Sequence, residues 1–513
     1  MSSIPSVAER LRRPMPIAGW RGWTGPIAVT VLAAILRLVD LARPHAIVFD
    51  ETYYAKDGLS LLLFGFERKS VENANEQILA SNGDPQSLLG IFTSEPSFVV
   101  HPPVGKWIIA SGIEVFGMTP FGWRIAVAII GILSVLLVAR IVRRLTRSNL
   151  LGTLAGLFMA IDGMGIVMSR TALLDVSLMF FVVVAFGCLL LDRDRTRAKL
   201  ADLVEDPNAT WGRWGPKLGF RLWLVAAGIA LGLACGVKWS GLYFVAAFGL
   251  LTVFWDISTR RLIGVENPWV ATLLRDVLSA FICIVCVGVV VYILTWWGWF
   301  ASDDAYLRNW AAEQPGGGFI PESLRSLWQY HSQALGFHTN LTSPHSYSAN
   351  PWLWPVQGRP TSFSVISDPD VCGASECRAH VLALGNPILW WAATLAMVHQ
   401  AWRWIARRDW RSGAVLCGFL ASWLPWLFFQ QRTIFEFYSI VMLPFMIMAL
   451  VMTLGTILGT KTASADRKKW GIVAVGSFTL VAIVVSAFFY PIWVGDPLTI
   501  PQWDLRMWMP TWV

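Results

Sequence analysis

The sequence predicts an all-α integral membrane protein, and three observations support this prediction. The 513 residues are 55% hydrophobic and only 14% charged, whereas soluble globular proteins carry about 25% charged residues. Apolar stretches long enough to cross a hydrocarbon layer of about 30 Å recur along the chain. Basic residues gather in alternate connections between these stretches, a pattern typical of polytopic membrane proteins. This composition excludes a disordered chain and argues strongly against a soluble enzyme.

Eleven apolar stretches are the candidate membrane spans. They lie at residues 26–43, 121–142, 150–169, 172–191, 222–239, 241–256, 275–298, 386–405, 413–430, 434–458 and 471–494. We expect residues 1–513 to form a single polytopic membrane domain in which the first stretch is a retained anchor, because no small-residue cleavage site follows it.

The positions of the basic residues predict the topology. More than half of the 41 Lys and Arg residues fall in the N-terminal segment and in every second connection, and short cytoplasmic loops hold such an excess. We therefore expect a multi-pass protein of the cell membrane with a cytoplasmic N-terminus and an external C-terminus. The net charge of +8 is then explained by the basic residues of the cytoplasmic loops. No nucleic-acid partner is expected.

Two predicted outer loops are much longer than a helix connection requires, at residues 44–120 and 299–385. The first carries the acidic pair Asp50 and Glu51, and it contains amphipathic stretches at residues 53–66 and 106–116. In the second, Cys372 and Cys377 lie five residues apart in an oxidising compartment. A disulfide and two unpaired thiols both remain open.

Ionisable residues cluster near the outer ends of the predicted spans. Charge in hydrocarbon is costly and usually marks function, although interfacial anchoring or helix pairing explains any single member. Together the residues describe a polar cavity that opens to the outside. The cluster comprises Arg37, Asp40, Asp50, Glu51, Asp162, Arg170, Asp175, Lys238, Arg432 and Glu436.

This mixture of charges suits a transferase that uses a lipid-linked donor. Arg and Lys bind phosphate oxygens by charge-assisted hydrogen bonds, and they stabilise the charge that grows on a phosphate leaving group. A carboxylate beside them can remove a proton from an acceptor hydroxyl. The sequence contains neither a P-loop nor a dinucleotide fingerprint, which agrees with a lipid-linked energy source.

Eight segments of the chain resemble the protein O-mannosyltransferases, and they follow one another in the order found in that family. They are Arg37 to Pro44, Phe49 to Lys56, His101 to Lys106, Ser169 to Asp175, Gly236 to Leu242, Phe337 to Thr342, Pro344 to Trp352 and Phe435 to Tyr438. The chain is most similar to the bacterial, actinobacterial-type members. The soluble sugar-binding-like domain that eukaryotic members insert in the large loop has no counterpart between Trp299 and Gly385.

The resemblance implies a GT-C type glycosyltransferase fold and an inverting transfer of mannose from polyprenyl phosphate mannose to Ser or Thr of exported proteins. Asp50 matches the family's catalytic acidic residue and would be the general base, with Glu51 holding the geometry or the substrate. The predicted ligands of the donor phosphate are Arg37, Arg124, Arg170 and Lys238; the alternative is an ion pair with Asp40, Asp162 or Asp175. The residues predicted to bind substrate or to shape the site are His101, Lys106, Asp175, His338, His345 and Arg432.

The expected partners are the polyprenyl phosphate mannose donor, exported Ser- and Thr-containing proteins, including chains still being translocated, and membrane lipids. No cofactor and no metal site are expected, since the spacing of His101, His331, His338 and His345 matches no tight metal motif. A divalent ion bound by Asp50 and Glu51 remains an alternative to cationic side chains. Four aromatic residues of the second loop would stack on substrate or anchor at the interface: Trp328, Tyr330, Trp352 and Trp354.

Two other functions compete with this interpretation. One is a different lipid-linked GT-C glycosyltransferase that moves arabinose or mannose onto a glycolipid or a cell-wall glycan. The other is a carrier or flippase for polyprenyl-linked sugars. A carrier needs polar groups along its whole path, and the inner halves of the predicted spans are almost free of charge, which argues against it.

Overall fold

The protein is a bundle of long helices with two long connections that pack together at one end. The computed structural model describes residues 5–12, 15–16, 19–316, 318–367, 372–374, 376–460 and 462–513. In chain order the helices are α1 (Val7–Leu11), α2 (Arg21–Leu38), α3 (Glu51–Phe64), α4 (Ala74–Ala80), α5 (Val104–Phe116), α6 (Pro120–Thr146), α7 (Asn149–Ile161), α8 (Gly163–Ser169), α9 (Asp175–Glu205), α10 (Leu222–Val237), α11 (Gly241–Leu262), α12 (Pro268–Thr295), α13 (Trp297–Ala301), α14 (Glu322–Asn340), α15 (Pro387–Arg407), α16 (Trp410–Trp423), α17 (Leu443–Leu458), α18 (Ala465–Val494) and α19 (Ile500–Asp504).

Each predicted apolar stretch is mainly helical, although the helices differ in length. Five of those described (α6, α9, α11, α12 and α18) are long and apolar enough to cross a membrane, and α7 with α8 makes a sixth, bent one. Helices α10 and α17 are apolar but shorter. The all-α membrane architecture is therefore confirmed, and the count of eleven crossings stays a prediction.

The first span ends five residues earlier than the predicted stretch 26–43. Helix α2 stops at Leu38, and the chain then turns through Asp40, which has a positive φ of 50°. The carbonyl groups at a helix end lack partners within the helix. Here Arg170 donates to the carbonyl oxygens of Arg37, Val39 and Asp40, which holds the chain in its turn away from the helix axis.

The predicted span 150–169 is broken at Asp162, where α7 and α8 meet at an angle of 61°. The Asp162 side chain caps α8 by accepting a hydrogen bond from the Gly165 amide (3.0 Å), a role for which Asp is a preferred residue. It also accepts from the Asn386 amide (3.0 Å) and from the Trp390 indole (2.9 Å). One buried carboxylate thus fixes the break and ties it to the start of α15.

Short strands and helices fill the two long connections. In the first, α3 and α5 confirm the predicted amphipathic stretches, and β1 (Arg68–Ser70) pairs antiparallel with β2 (Phe92–Pro96). In the second, α14 precedes the strands β3 (Thr361–Ser367) and β4 (Cys377–Ala383). The C-terminal strand β5 (Pro497–Thr499) completes an antiparallel sheet of order β3–β4–β5. A disulfide joins Cys372 to Cys377 at the start of β4, which decides between the two alternatives left open for these cysteines.

The opposite end of the bundle holds buried ion pairs that the sequence did not reveal. Arg221 donates to Asp192 and Asp256 on the neighbouring helices α9 and α11, and all three side chains are almost fully buried. Arg260 makes a bidentate pair with Asp276 (2.6 and 2.8 Å). Basic residues that appear in sequence as loop charges are therefore structural partners of helix carboxylates.

We predict that Arg221→Met destabilises the bundle strongly. Removing one member of a buried ion pair leaves uncompensated charge and typically costs about 3 to 5 kcal/mol, and here two carboxylates would lose their partner. Thermal unfolding of the purified protein, followed by tryptophan fluorescence, measures the effect. Arg195→Met is the matched control, because Arg195 lies exposed on the same end of α9. Equal melting temperatures for the two variants would contradict the prediction.

Candidate active site

The acidic pair lies where the chain leaves the turn after α2 and enters α3. Asp50 is the residue before the helix and Glu51 is its first residue. Phe49 has a positive φ of 47°, which is unfavourable for a bulky side chain. Its ring stacks on Phe363 (centroids 4.8 Å apart) and meets Phe437 edge-on at 5.6 Å. These contacts hold a strained residue directly beside the candidate base, and such strain clusters at functional sites.

Glu51 is completely buried, and its two carboxylate oxygens are fully engaged. Arg124 donates to both of them (2.8 Å each). The main-chain amide of Ala172 donates to one oxygen (3.0 Å), and that of Val48 donates to the other (3.1 Å). A charge can be buried when it is paired and hydrogen-bonded in this way. Glu51 thus fastens the acidic turn to α6 and to the segment that precedes α9.

The same arginine clamps the chain that leads to the acidic pair. Beyond Glu51, the guanidinium of Arg124 donates to the carbonyl oxygens of Ala42 (3.0 Å), Pro44 (2.9 Å) and Ala46 (2.9 Å). Its planar array of five donors suits such convergent acceptors. The path of residues 41–48 is therefore set by one buried side chain.

Asp50 differs sharply from its neighbour. Its side chain is half-buried, and no group in the described part of the chain donates a hydrogen bond to it. Burial raises the pKa of the Asp50 carboxyl to about 6, against the opposing charge of Lys238 and with a small contribution from Asp175. A carboxylate with free acceptor oxygens and a proton affinity near neutral pH is suited to general base catalysis.

Arg37 and Arg170 lie close to the acidic turn, but their donors are directed to the protein. Arg37 is completely buried and donates to the carbonyl oxygens of Ala160 (2.9 Å) and Met159 (3.1 Å). Arg170 binds the carbonyl groups at the end of α2, as described above. The structure thus gives both residues, like Arg124, a part in holding the chain around Asp50. Their predicted role as phosphate ligands stays a prediction.

A cavity of about 250 Å³ lies between α9, α11, α14, α16 and the segment before α17. Six of the residues that line it carry polar groups relevant to chemistry: His101, Asp175, Lys238, His338, Arg432 and Tyr438. Lys238 Nζ donates to both oxygens of Asp175 (2.8 and 3.0 Å) and lies 4.9 Å from the centre of the Tyr438 ring. The structure therefore brings five of the residues that sequence analysis singled out to one cavity, and Lys238 and Asp175 act electrostatically on Asp50.

His338 and Arg432 form a polar link across this cavity. Arg432 donates to His338 Nδ1 (3.0 Å), so the histidine proton resides on Nε2, which contacts the Val100 carbonyl oxygen (3.1 Å). Burial and the charge of Arg432 lower the pKa of His338 to about 4, and the ring is therefore neutral. Arg432 Nε is buried and has no hydrogen-bonding partner in the described structure. Arg432 lines the cavity, and this donor is not used within the described part of the protein.

Lys106 and His345 lie outside the cavity lining. Lys106 is buried and pairs with Glu67, which joins α5 to the segment after α3. His345 is exposed; its ring lies 4.9 Å from Phe435 and 6.5 Å from Phe49. The first residue supports the wall of the site, and the second lies at its rim. Their predicted contact with substrate stays a prediction.

The four aromatic residues of the second loop divide into two classes. Tyr330 and Trp354 are buried, whereas Trp328 and Trp352 are largely exposed. Only the exposed pair is free to contact a substrate or a lipid interface. Sequence analysis did not single out Trp239 and Tyr438 as site residues, although both line the cavity. Both lie inside segments that carry the family resemblance, Gly236 to Leu242 and Phe435 to Tyr438, and this was the available signal.

Metal ligation has little geometric support around the acidic pair. Within the described residues no three His, Cys, Asp or Glu side chains are grouped as a metal site requires. A divalent ion shared by Asp50 and Glu51 would have to displace Arg124 and the two main-chain amides from Glu51. The expectation that the protein uses no cofactor remains untested by these contacts.

Comparison with known proteins agrees with this geometry. Residues 94–302 match the family described as dolichyl-phosphate-mannose-protein mannosyltransferase. Residues 323–512 match the C-terminal four-transmembrane region of protein O-mannosyltransferase. Together these matches cover most of the second long connection and most of the helical bundle, and they include the first connection only from residue 94.

Full-length relatives are found among the actinobacteria. The chain is 38% identical over 511 residues to a polyprenol-phosphate-mannose–protein mannosyltransferase of Mycolicibacterium smegmatis, covering 97% of this chain and 94% of the relative. The protein of the same name from Mycobacterium tuberculosis is 36% identical, with coverage of 97% and 93%. That from Corynebacterium glutamicum is 34% identical, with coverage of 83% and 84%.

The fold has solved counterparts as well. The protein O-mannosyltransferase Pmt1–Pmt2 complex of S. cerevisiae, bound to its sugar donor, superimposes with a TM-score of 0.71 at 16% identity, over 99% of this chain and 94% of the matched chain. The oligosaccharyltransferase of Archaeoglobus fulgidus gives a TM-score of 0.51 at 14% identity, over 96% and 59%. These likenesses confirm the predicted GT-C type fold. Together with the identity to the actinobacterial proteins, they show that the chain belongs to the protein O-mannosyltransferase family.

Proposed function

We propose that this protein transfers mannose from polyprenyl phosphate mannose to Ser or Thr hydroxyl groups of exported proteins, with inversion at the sugar. The actinobacterial relatives carry the name of this activity. The single observation that supports the mechanism is the environment of Asp50, a half-buried carboxylate without a hydrogen-bonding partner in the described chain. It lies within electrostatic reach of the cationic cavity.

In the proposed reaction Asp50 removes the proton of the acceptor hydroxyl as its oxygen attacks the anomeric carbon. The new bond joins that oxygen to the sugar, and the bond from the sugar to the phosphate oxygen breaks. Polyprenyl phosphate leaves with the bonding electron pair, and the proton remains on Asp50 until water removes it. Cations near the leaving oxygen lower the barrier because they stabilise the charge that develops there.

Among the cationic residues, Lys238 and Arg432 are our proposed phosphate ligands. Both line the cavity, and Arg432 retains an unused donor. Lys238 is paired with Asp175, which orients its ammonium group without removing its remaining donor capacity. We assign Arg37, Arg124 and Arg170 to positioning the turn that carries Asp50, since main-chain carbonyls occupy their donors.

The distribution of basic residues supports a proposed orientation in the membrane. The basic ends of the helices lie together at the end opposite Asp50, where Arg143 donates to Pro16 O and Arg411 to Leu145 O. We propose that this end is cytoplasmic. The Asp50 end then faces outward, where exported chains, including those still being translocated, meet a lipid-linked donor within the bilayer.

Asp50→Asn should remove nearly all activity. A well-placed base contributes about 10² to 10⁴ in rate, and asparagine keeps the shape but cannot accept the proton. The assay follows label from polyprenyl phosphate mannose to a Ser- and Thr-rich peptide in membranes that contain the protein. Glu72→Gln, at an exposed carboxylate of the first loop, should leave the rate unchanged. Peptide labelling by Asp50→Asn at the wild-type rate would contradict Asp50 as the base. Label that appears only in glycolipid would contradict a protein acceptor.

The activity should also depend on pH. Since the base must be ionised and the pKa of Asp50 is raised to about 6, the peptide-dependent kcat/KM should rise with pH and level off above that value. Below it, the rate should fall about tenfold per pH unit. The profile is measured between pH 4.5 and 8 with stability checked at each pH, and a flat profile across this range would contradict Asp50 as the base.

Arg432→Met should weaken donor binding, whereas Arg170→Met should lower the stability of the protein. Loss of a charge-assisted hydrogen bond to the donor phosphate costs about 1.5 to 3 kcal/mol, so Arg432→Met should raise the donor KM roughly 10- to 100-fold with little change in melting temperature. Arg170→Met leaves buried carbonyl groups without partners and should lower the melting temperature. Donor titrations and thermal unfolding distinguish the two effects, and an unchanged donor KM in Arg432→Met would refute the phosphate assignment.

A further inference from the structure

A second cavity lies beside the acidic turn and has no role in the mechanism above. Its volume is about 250 Å³, and it separates the turn at residues 43–45 from one face of the β3–β4–β5 sheet. The residues that line it are Arg43, Pro44, His45, Ser364, Ile366, Cys377, Ala379, Val381, Gly495 and Pro497. We call it the sheet groove. Its members on β3 and β4 alternate along each strand, as expected for one face of a sheet.

The chemistry of the sheet groove suits an uncharged, extended chain. Its floor is apolar, formed by Ile366, Ala379 and Val381, and Ile366 is 45% exposed. The only permanently charged group in the lining, Arg43, pairs with Asp40 and Asp496 on either side. A shallow apolar floor, whose one cation is already held by two carboxylates, offers contacts to small and apolar side chains and no free cation for an anionic ligand.

Two chain segments join the groove lining to the candidate base. On the sheet side, β3 carries Phe363, whose buried ring stacks on Phe49. On the other side, the chain runs from His45 through that same Phe49 to Asp50. Five residues span at most about 18 Å, so His45 in the groove lining lies no farther than this from Asp50, a separation that an extended peptide of similar length can bridge.

We propose that the sheet groove binds the acceptor polypeptide in an extended conformation, next to the Ser or Thr that receives the sugar. This inference rests on the proposed function and adds the location of the acceptor. Recognition through a shallow floor and an extended backbone tolerates many sequences, as an enzyme with varied protein acceptors requires. The disulfide at Cys377 holds the far end of the groove in place.

The test compares two adjacent residues of β3. Ile366→Asp places a carboxylate on the groove floor, where peptide burial would desolvate it. Val365→Asp is the matched control, because Val365 is equally exposed (48%) but lies on the other face of the strand. We expect Ile366→Asp to raise the peptide KM about tenfold or more while the donor KM and the kcat at saturating peptide stay within about twofold of the wild type. Val365→Asp should change none of these values.

A second variant guards against misfolding. Ser364→Phe fills the groove with an apolar ring and should raise the peptide KM in the same way, and melting temperatures of all three variants should match the wild type. Equal effects of Ile366→Asp and Val365→Asp, or no effect of either, would overturn the inference. So would a changed oligomeric mass of Ile366→Asp with an unchanged peptide KM, which would assign the groove to a second copy of the chain. If wild-type protein labels no peptide, the proposed function itself fails.

Discussion

The buried pair of Glu51 and Arg124 is the constraint on which the rest of the site depends. Both side chains are completely buried, and such a pair is tolerated only where the remaining hydrogen-bonding capacity is also filled. Here the two side chains, on α3 and α6, together engage main-chain groups of residues 41–48 after α2 and of Ala172 before α9. Three distant parts of the sequence therefore meet at one ion pair, and the position of Asp50 is a consequence of that meeting.

The arginines around the site show why proximity to a catalytic residue does not establish contact with substrate. Arginine carries five donors in a rigid plane, which makes it suitable both for phosphates and for clusters of main-chain carbonyls. Three of the arginines at this end of the bundle use their donors on carbonyls that helix ends and turns leave unpaired. The cavity is left with Lys238 and Arg432, so two cations can contact a donor while the others keep the backbone in a shape it would not hold alone.

Sequence analysis predicted the helical bundle, the two long connections and the acidic turn, because hydropathy and charge position are properties of short segments. It could not predict the break at Asp162, since an aspartate capping a helix inside an apolar run resembles an interfacial charge. The burial of Arg221 between two carboxylates was also not predictable, because the excess of basic residues in cytoplasmic loops contains no information about ion pairs with neighbouring helices. The hydrogen-bonding partners of Arg37 and Arg170 depend on tertiary contacts and were inaccessible for the same reason.

Adjacent carboxylates with contrasting surroundings are a recurrent way to divide roles in a catalytic site. Glu51 receives four hydrogen bonds, which occupy both of its carboxylate oxygens. Asp50 receives none in the described structure, and desolvation increases its affinity for a proton. The first residue uses both oxygens to hold the chain, whereas the second has oxygens free to accept a proton. The separation of these tasks between consecutive residues explains why a single turn needs two acidic side chains.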